Sequence, residues 1–302
     1  MRKRVACPQI LLLAVAAWGQ DEVTFTAGVK VVNLLATVQT KKGEIVRDLS
    51  KDDFVLLENG RPQTIQYFSR ESDLPLTLGL MVDTSMSQER VLDAERGASF
   101  RFLDSVLREN KDKVFVLQFD ISVWLRQGLT SSRKDLEEAL SLVDTQTRDE
   151  LTRYGGGTLL YDAVVKVSND IMRKQQGRKA LIILSDGEDV NSTATYQDAV
   201  DAALRAETLV YSILYSSSRS LGSGRGVMQR LSRDTGGGFY EVTKKLPIGK
   251  VFELIQEELR SQYSIGYVSD EPVRIPEYRK IHLATRDKVL VVRARDRYWA
   301  GR

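Results

Sequence analysis

The run Leu78-Gly79-Leu80-Met81-Val82-Asp83-Thr84-Ser85-Met86-Ser87 is apolar up to a carboxylate, after which hydroxyls stand at alternate positions. An apolar run of this kind, bounded by turn residues, predicts a fully buried parallel strand. Ligands of open α/β sheets bind beyond the carboxyl ends of such strands, so Asp83, Ser85 and Ser87 are expected to share a small loop above the sheet. Their oxygens suit a hard divalent ion that keeps several waters, whereas zinc prefers nitrogen and sulfur. An Asp/Ser helix cap would use the same residue types, and the spacing alone does not separate the two. Two further segments favour the ion. Arg178-Lys179-Ala180-Leu181-Ile182-Ile183-Leu184-Ser185-Asp186-Gly187 is a second buried strand that ends in an aspartate, followed by a glycine that permits a tight turn. Between them, Gly155-Gly156-Gly157-Thr158 opens the helical pattern Leu159-Leu160-Tyr161-Asp162-Ala163-Val164-Val165, so flexible backbone delivers Thr158 to a helix start as a third hydroxyl. A glycine run before a helix can also cradle phosphate, but the Lys and Ser/Thr of a P-loop do not follow this one.

Asp-x-Ser-x-Ser after the first strand, Thr after a glycine-rich loop and Asp in a Ser-Asp-Gly turn resemble the metal-ion-dependent adhesion site of von Willebrand factor type A domains, and every position matches. The resemblance covers residues 74–260. The flanks resemble a bacterial subgroup, the von Willebrand factor A-related proteins found especially in Acidobacteria, in Leu49-Ser50-Lys51-Asp52-Asp53-Phe54, Glu58-Asn59-Gly60-Arg61-Pro62-Gln63, Gly187-Glu188-Asp189, Leu259-Arg260-Ser261-Gln262-Tyr263 and Arg297-Tyr298-Trp299. The resemblance implies that Ser85 and Ser87 coordinate the ion directly. Thr158, Asp83 and Asp186 would bind it directly or through water, and a vacant position would remain for an incoming carboxylate. Mg²⁺ is the expected ion, with Mn²⁺ or Ca²⁺ as alternatives. Two aspartates roughly neutralise a divalent ion and hydroxyls add no charge, so the cation stays electrophilic toward a partner's Glu or Asp. One position departs from the family: Met86 stands where a glycine usually separates the two serines, which restricts the backbone and puts a large apolar side chain at the rim.

Other chemistries find less support. No Gly-x-Ser-x-Gly elbow is present, and His282, the only histidine, lies in an alternating strand-like run, which argues against a serine triad. A phosphoryl-accepting role for Asp83 would need a second aspartate where Ser85 stands. The glycines of the serine-rich stretch 216–226 are misplaced for a dinucleotide fingerprint. Glu188 and Asp189 could support the ion or act as a base, and as turn carboxylates they are expected to be solvated. With one cysteine, Cys7, the chain has no disulfide pair and no Cys/His zinc cluster.

A chain of 302 residues with 42% hydrophobic content can bury one large core and a satellite. Met1-Arg2-Lys3-Arg4 and the short apolar stretch after it read as a secretory leader, residues 1–19, with small residues near Ala17 and Gly19 for cleavage. Loss of Arg2, Lys3 and Arg4 takes the formal charge from +3 to zero, so nucleic-acid binding gains no support. No other apolar run is long enough to span a membrane.

The elements that must position the site follow from periodicity. Residues 20–73 form a β segment, with a strand over 29–39 and a hairpin in which 54–58 and 64–68 flank Asn59-Gly60. From 74 to 260 strands and helices alternate as in a doubly wound α/β domain, with a helix over 91–106 whose apolar positions are Val91, Ala94, Ala98, Phe102, Leu103 and Val106. If the order resembles the family's, the strands ending at Asp83 and Asp186 are neighbours at the topological switch point. Residues 261–302 return to strands, and these are expected to pack with 20–73 as one β-sandwich, since neither set can bury a core alone. The fold class is thus α/β with a doubly wound, mostly parallel sheet and an added small β-sandwich. The expected function is that of an exported, non-enzymatic adhesion module binding a protein that offers Asp or Glu. The alternatives are an extracytoplasmic metal-dependent hydrolase and a scaffold with a degenerate metal site.

Overall fold

The computed structural model describes residues 31–70, 74–215 and 224–301, and the chain from 31 onward forms one compact unit. The expected leader, Cys7, residues 71–73 at the expected boundary and residues 216–223 of the serine-rich stretch lie outside the described residues. The N-terminal strands are β1 (Val31–Gln39), β2 (Phe54–Glu58), β3 (Arg61–Pro62) and β4 (Tyr67–Arg70). The alternating region comprises β5 (Leu76–Asp83), α1 (Leu92–Val106), β6 (Lys113–Phe119), β7 (Val123–Thr130), α2 (Arg133–Ser141), α3 (Arg148–Tyr154), α4 (Leu160–Asp170), β8 (Arg178–Ser185), α5 (Tyr196–Arg205), β9 (Leu209–Leu214), α6 (Gly224–Thr235), β10 (Phe239–Glu241) and α7 (Ile248–Arg260). Strands β11 (Tyr263–Val268), β12 (Glu277–Thr285), β13 (Val291–Arg293) and β14 (Arg297–Ala300) follow.

Six strands form the central sheet in the order β10-β9-β8-β5-β6-β7, parallel throughout except for β7 at one edge. β5 is buried at every position, as a strand covered on both faces must be. Its Leu76, Leu78, Leu80 and Val82 join the layer built with α1, α2 and α7, while Met81 faces the layer of α4, α5 and α6. The apolar stripe of α7, Ile248, Val251, Phe252, Ile255 and Leu259, is buried, and Phe252 stacks on Phe102 of α1 with ring centroids 4.5 Å apart. Each such buried side chain contributes about 1.5–3 kcal/mol. The buried stripe of α1 is Leu92, Glu95, Ala98, Ser99, Phe102, Leu103 and Val106. It is rotated from the expected one: Ala94 is exposed and Glu95 takes the inward position. Helix α3 arises where no element was expected, and it begins at a capping box of Thr147 and Glu150.

The terminal segments interleave in two four-stranded sheets, β13-β1-β11-β4 and β14-β12-β2-β3, whose inner faces enclose Val32, Leu34, Phe54, Leu56, Ile265 and Ile281. Each sheet thus takes strands from both ends of the chain. The hairpin differs from its expected form. Asn59 and Gly60 have φ of 48° and 81°, the left-handed pair of a two-residue turn. They pair Glu58 with Arg61 and Leu57 with Pro62, and one further bond, from the Gln63 N–H to Leu56 O (2.9 Å), closes the hairpin. The chain then crosses, and Tyr67–Arg70 pairs with β11 in the other sheet. Strand β14, which carries the Arg297-Tyr298-Trp299 motif, pairs with β12. His282 lies exposed on β12 opposite Leu57.

Glu58 is fully buried in this sandwich and is saturated with hydrogen bonds. It accepts from Tyr267 Oη (2.6 Å), Tyr298 Oη (2.9 Å) and Ser269 Oγ (2.5 Å), and from Arg279 Nη1 (3.1 Å). Arg279 is 1% exposed, so the ion pair has almost no water around it.

Candidate metal centre

Strands β5 and β8 are neighbours, and their ends bring the carboxylates of Asp83 and Asp186 into one another's field. Asp83 is wholly buried. Its Oδ1 accepts from the Ser85 N–H (2.9 Å) and its Oδ2 from Ser185 Oγ (2.6 Å), so the two strand ends are tied through this side chain. Burial pushes the Asp83 carboxyl up to about 7; the Ser185 and Ser85 hydrogen bonds oppose that rise and the Asp186 charge adds to it. Asp186 receives the Glu188 N–H at Oδ1 (3.2 Å). Gly187 follows with φ of 80°, in a close approach to Gly224 that leaves no room for a Cβ.

Ser85 ends the strand-to-helix link in extended conformation and leads a 3-10 turn, Met86–Gln88. That turn carries Ser87 back, so that the Ser85 and Ser87 hydroxyls stand 3.0 Å apart. Thr158 is buried in the loop before α4, held by a backbone pair with Val190 (3.0 and 2.9 Å). It is linked to the serine loop through Asp120: the Leu159 N–H donates to Asp120 O (2.8 Å), and Thr84 Oγ1 donates to Asp120 Oδ2 (2.8 Å). Asp120, absent from the sequence reading, is therefore what couples the Thr158 loop to the serine loop. Asp189 is not a free turn carboxylate. It accepts from the Tyr161 N–H (3.0 Å) and Ser192 Oγ (2.7 Å), satisfying an open donor in the first turn of α4.

Met86 has no left-handed backbone, so the glycine usual at this position is not required here; its side chain is 39% exposed at the rim. Met86→Gly is therefore expected to leave metal affinity unchanged and to cost about 0.5–1 kcal/mol of stability, read by calorimetry and thermal unfolding. A large fall in metal affinity at unchanged melting temperature would show that Met86 is tuned to the loop.

Carboxylates at the ends of adjacent strands and paired hydroxyls fit a hard cation by donor type. Among the described residues, no three His, Cys, Asp or Glu side chains converge closely enough to hold a metal by themselves, so hydroxyls would have to complete any ligand set. Beside the loop lies a cleft of about 610 Å³ lined by Asp120, Ile121, Trp124, Gln146, Glu150 and Tyr154 among others. Trp124 and Tyr154 are more than half exposed, leaving an aromatic rim next to the site.

The fold is of the von Willebrand factor A type. Over 67% of its length the chain is similar to proximal thread matrix protein 1 from the mussel byssus, with a TM-score of 0.50 and 14% identity, and it spans about half (51%) of that chain. A structure of the same mussel protein described as having a zinc-occupied MIDAS motif matches with a TM-score of 0.49 and 13% identity, over 68% of this chain and 50% of that one. The conserved hypothetical protein BatB from Bacteroides thetaiotaomicron matches with a TM-score of 0.46 and 17% identity, over 62% of this chain and 97% of that one. No protein-family model matches the chain, and no curated protein matches it. No helix among the described residues is long and apolar enough to cross a membrane.

Proposed function

We propose that this chain is an exported, metal-dependent protein-binding module of the adhesion type, a member of the bacterial von Willebrand factor A-related proteins. It would hold Mg²⁺, with Mn²⁺ or Ca²⁺ as alternatives, at Asp83, Ser85, Ser87, Thr158 and Asp186, and through it capture an Asp or Glu of a protein partner. The observation that carries this reading is the meeting of Asp83 and Asp186 at neighbouring strand ends, with the Ser85 and Ser87 hydroxyls 3.0 Å apart on the loop between strand and helix. The bound ion supplies an electrophile for a third carboxylate from outside. The chain's own residues do the rest: Asp120 sets the distance between the two loops, and Trp124 and Tyr154 offer apolar area to the residues flanking the partner's carboxylate. Recognition rather than catalysis is favoured in that Asp189, one of the two carboxylates that follow Asp186, is spent on the start of α4. Action outside the cytoplasm follows from the leader expected at 1–19.

Capture of proteins from a native envelope extract is expected to vanish in EDTA and to return with Mg²⁺ or Mn²⁺. Asp186→Ala is expected to abolish it, and Thr158→Ala to weaken it without loss of fold. Removing the partner's carboxylate is expected to cost about 2–5 kcal/mol. Equal capture in EDTA and by Asp186→Ala would move the interaction surface to the β-sandwich and end the adhesion reading.

A further inference from the structure

Glu95 lies in the first turn of α1, the helix that the metal loop feeds directly. It is fully buried, and neither of its carboxyl oxygens has a hydrogen-bond partner among the described residues. Two neighbouring polar side chains are in the same condition. Ser99, one turn further along the same helix face, and Gln88, on the 3-10 turn, are both wholly buried, and Ser99 Oγ and Gln88 Oε1 lack partners. Gln88 reaches the metal loop through its Nε2, which donates to Ser87 Oγ (3.4 Å). The charges that bear on Glu95 are those of Asp83 first and Asp186 second, and Glu95 in turn acts on Tyr215 at the end of β9. Its carboxyl is therefore within electrostatic reach of the ends of β5, β8 and β9.

A buried carboxylate with no partner and only like charges around it costs several kcal/mol when ionised, and unpartnered buried polar groups call for an explanation such as a bound water or ion. A glutamine or leucine would fill the same space without that cost. Among the described residues no cation faces Glu95, and a divalent cation at the Asp83 loop would supply the countercharge. Because Glu95 does not converge with the two aspartates as a direct ligand set, it must act at one remove, through a water or hydroxyl that the ion binds. Outer groups of this kind orient the ligands, and their loss typically weakens metal binding by about 10–100-fold.

We propose that Glu95 is a positioning carboxylate of the metal centre, accepting hydrogen bonds from water and hydroxyl ligands of the ion and giving the site a third negative charge. This rests on the metal reading above and deepens it. A third carboxylate raises affinity for the ion and tilts selectivity toward more highly charged hard cations, since charge count tunes such sites. It also makes the loaded site less electrophilic than two aspartates alone would, so Glu95 sets how strongly an outside carboxylate is drawn.

The test is calorimetric titration of the full chain with Mg²⁺, Mn²⁺ and Tb³⁺, for the parent, Glu95→Gln and Asp83→Ala, with melting curves in EDTA. Glu95→Gln is expected to bind Mn²⁺ about 10–100-fold more weakly, to lose part of the preference for Tb³⁺ over Mg²⁺, and to melt higher than the parent in EDTA at neutral pH, because an amide is buried without the cost of either taking up a proton or ionising unpaired. If Glu95→Gln does not fold, Glu95→Leu repeats the comparison with an apolar side chain of similar size. Unchanged affinity and ion preference, with Asp83→Ala defective, would overturn the role of Glu95 and leave the metal reading standing. A parent chain that binds none of the three ions would overturn both.

Discussion

Glu58→Ala is expected to lower the stability of the chain by about 3 kcal/mol, because it leaves the buried Arg279 with only the half-exposed Glu277, 3.2 Å from its Nε, as a counter-charge. The carboxylate is 0% and the guanidinium 1% exposed, so water cannot take over when the partner is removed. The phenols of Tyr267 and Tyr298 lose their acceptor at the same time. Burial, followed by the bond to Glu58, pushes the Tyr267 phenol far above its ordinary range, so it stays a donor at any working pH. Replacing both ends of the pair, as in Glu58→Gln with Arg279→Met, is expected to recover a large part of the loss, since a buried ion pair offers little over neutral side chains of matching shape. Urea unfolding of the two single variants and the double variant gives the coupling directly. A loss under 1 kcal/mol for Glu58→Ala would mean that water reaches this carboxylate.

The second large effect has opposite signs with and without metal. Folding raises the Asp83 carboxyl from its ordinary value of 3.8 to about 7, by burial above all. The folded state therefore holds that proton more tightly than the unfolded chain does. The resulting stability is fully present below pH 3.8 and is lost as pH rises to about 7, a decline on the order of 4 kcal/mol in metal-free protein. Glu95 is raised in the same direction, by burial and then by Asp83 and Asp186, and extends the decline upward. Asp83→Asn is expected to remove the Asp83 share of this slope and to be more stable than the parent in EDTA at pH 8. With Mg²⁺ present the order reverses, because the ion needs the ionised carboxylate and Asp83→Asn no longer supplies it. Urea midpoints at pH 5 and pH 8, in EDTA and in Mg²⁺, decide the matter. Parallel pH profiles for parent and variant in EDTA would show that Asp83 titrates as an ordinary aspartate.

What could be read from the sequence was whatever the sheet imposes. Strands β5 and β8 are mostly apolar because both faces are covered, and an aspartate stands at the end of β5 and immediately after β8, where the chain emerges into a polar loop. Helix α3 was legible in principle, since Thr147 and Glu150 have the spacing of a capping box. It was overlooked because it buries no residue, and periodicity sees only buried faces. Glu95 was hidden for the opposite reason. A charged residue on a helix reads as solvated, and only the inward register set by Leu92, Ala98 and Phe102 shows otherwise. The placement of Tyr67–Arg70 in the far sheet depends on where the chain goes after Pro62, a long-range choice with no local mark.

The two passages between the sandwich and the α/β core lie together at the end of the sheet remote from Asp83. There Arg178 donates to Leu74 O from Nη2 (3.0 Å) and to Leu259 O from Nη1, clamping the chain just before β5 to the end of α7. From that clamp β5 runs eight residues to the site, roughly 25 Å at strand rise. A pull exerted on the Ser85–Ser87 loop and resisted at the sandwich thus acts along the axis of β5. Its ladders with β6 and β8, in register over most of its length, are then loaded in shear, with their hydrogen bonds sharing the force at once instead of opening one by one. A tether under tension would hold longest in this direction, and a sideways tug on the same loop would meet far less resistance.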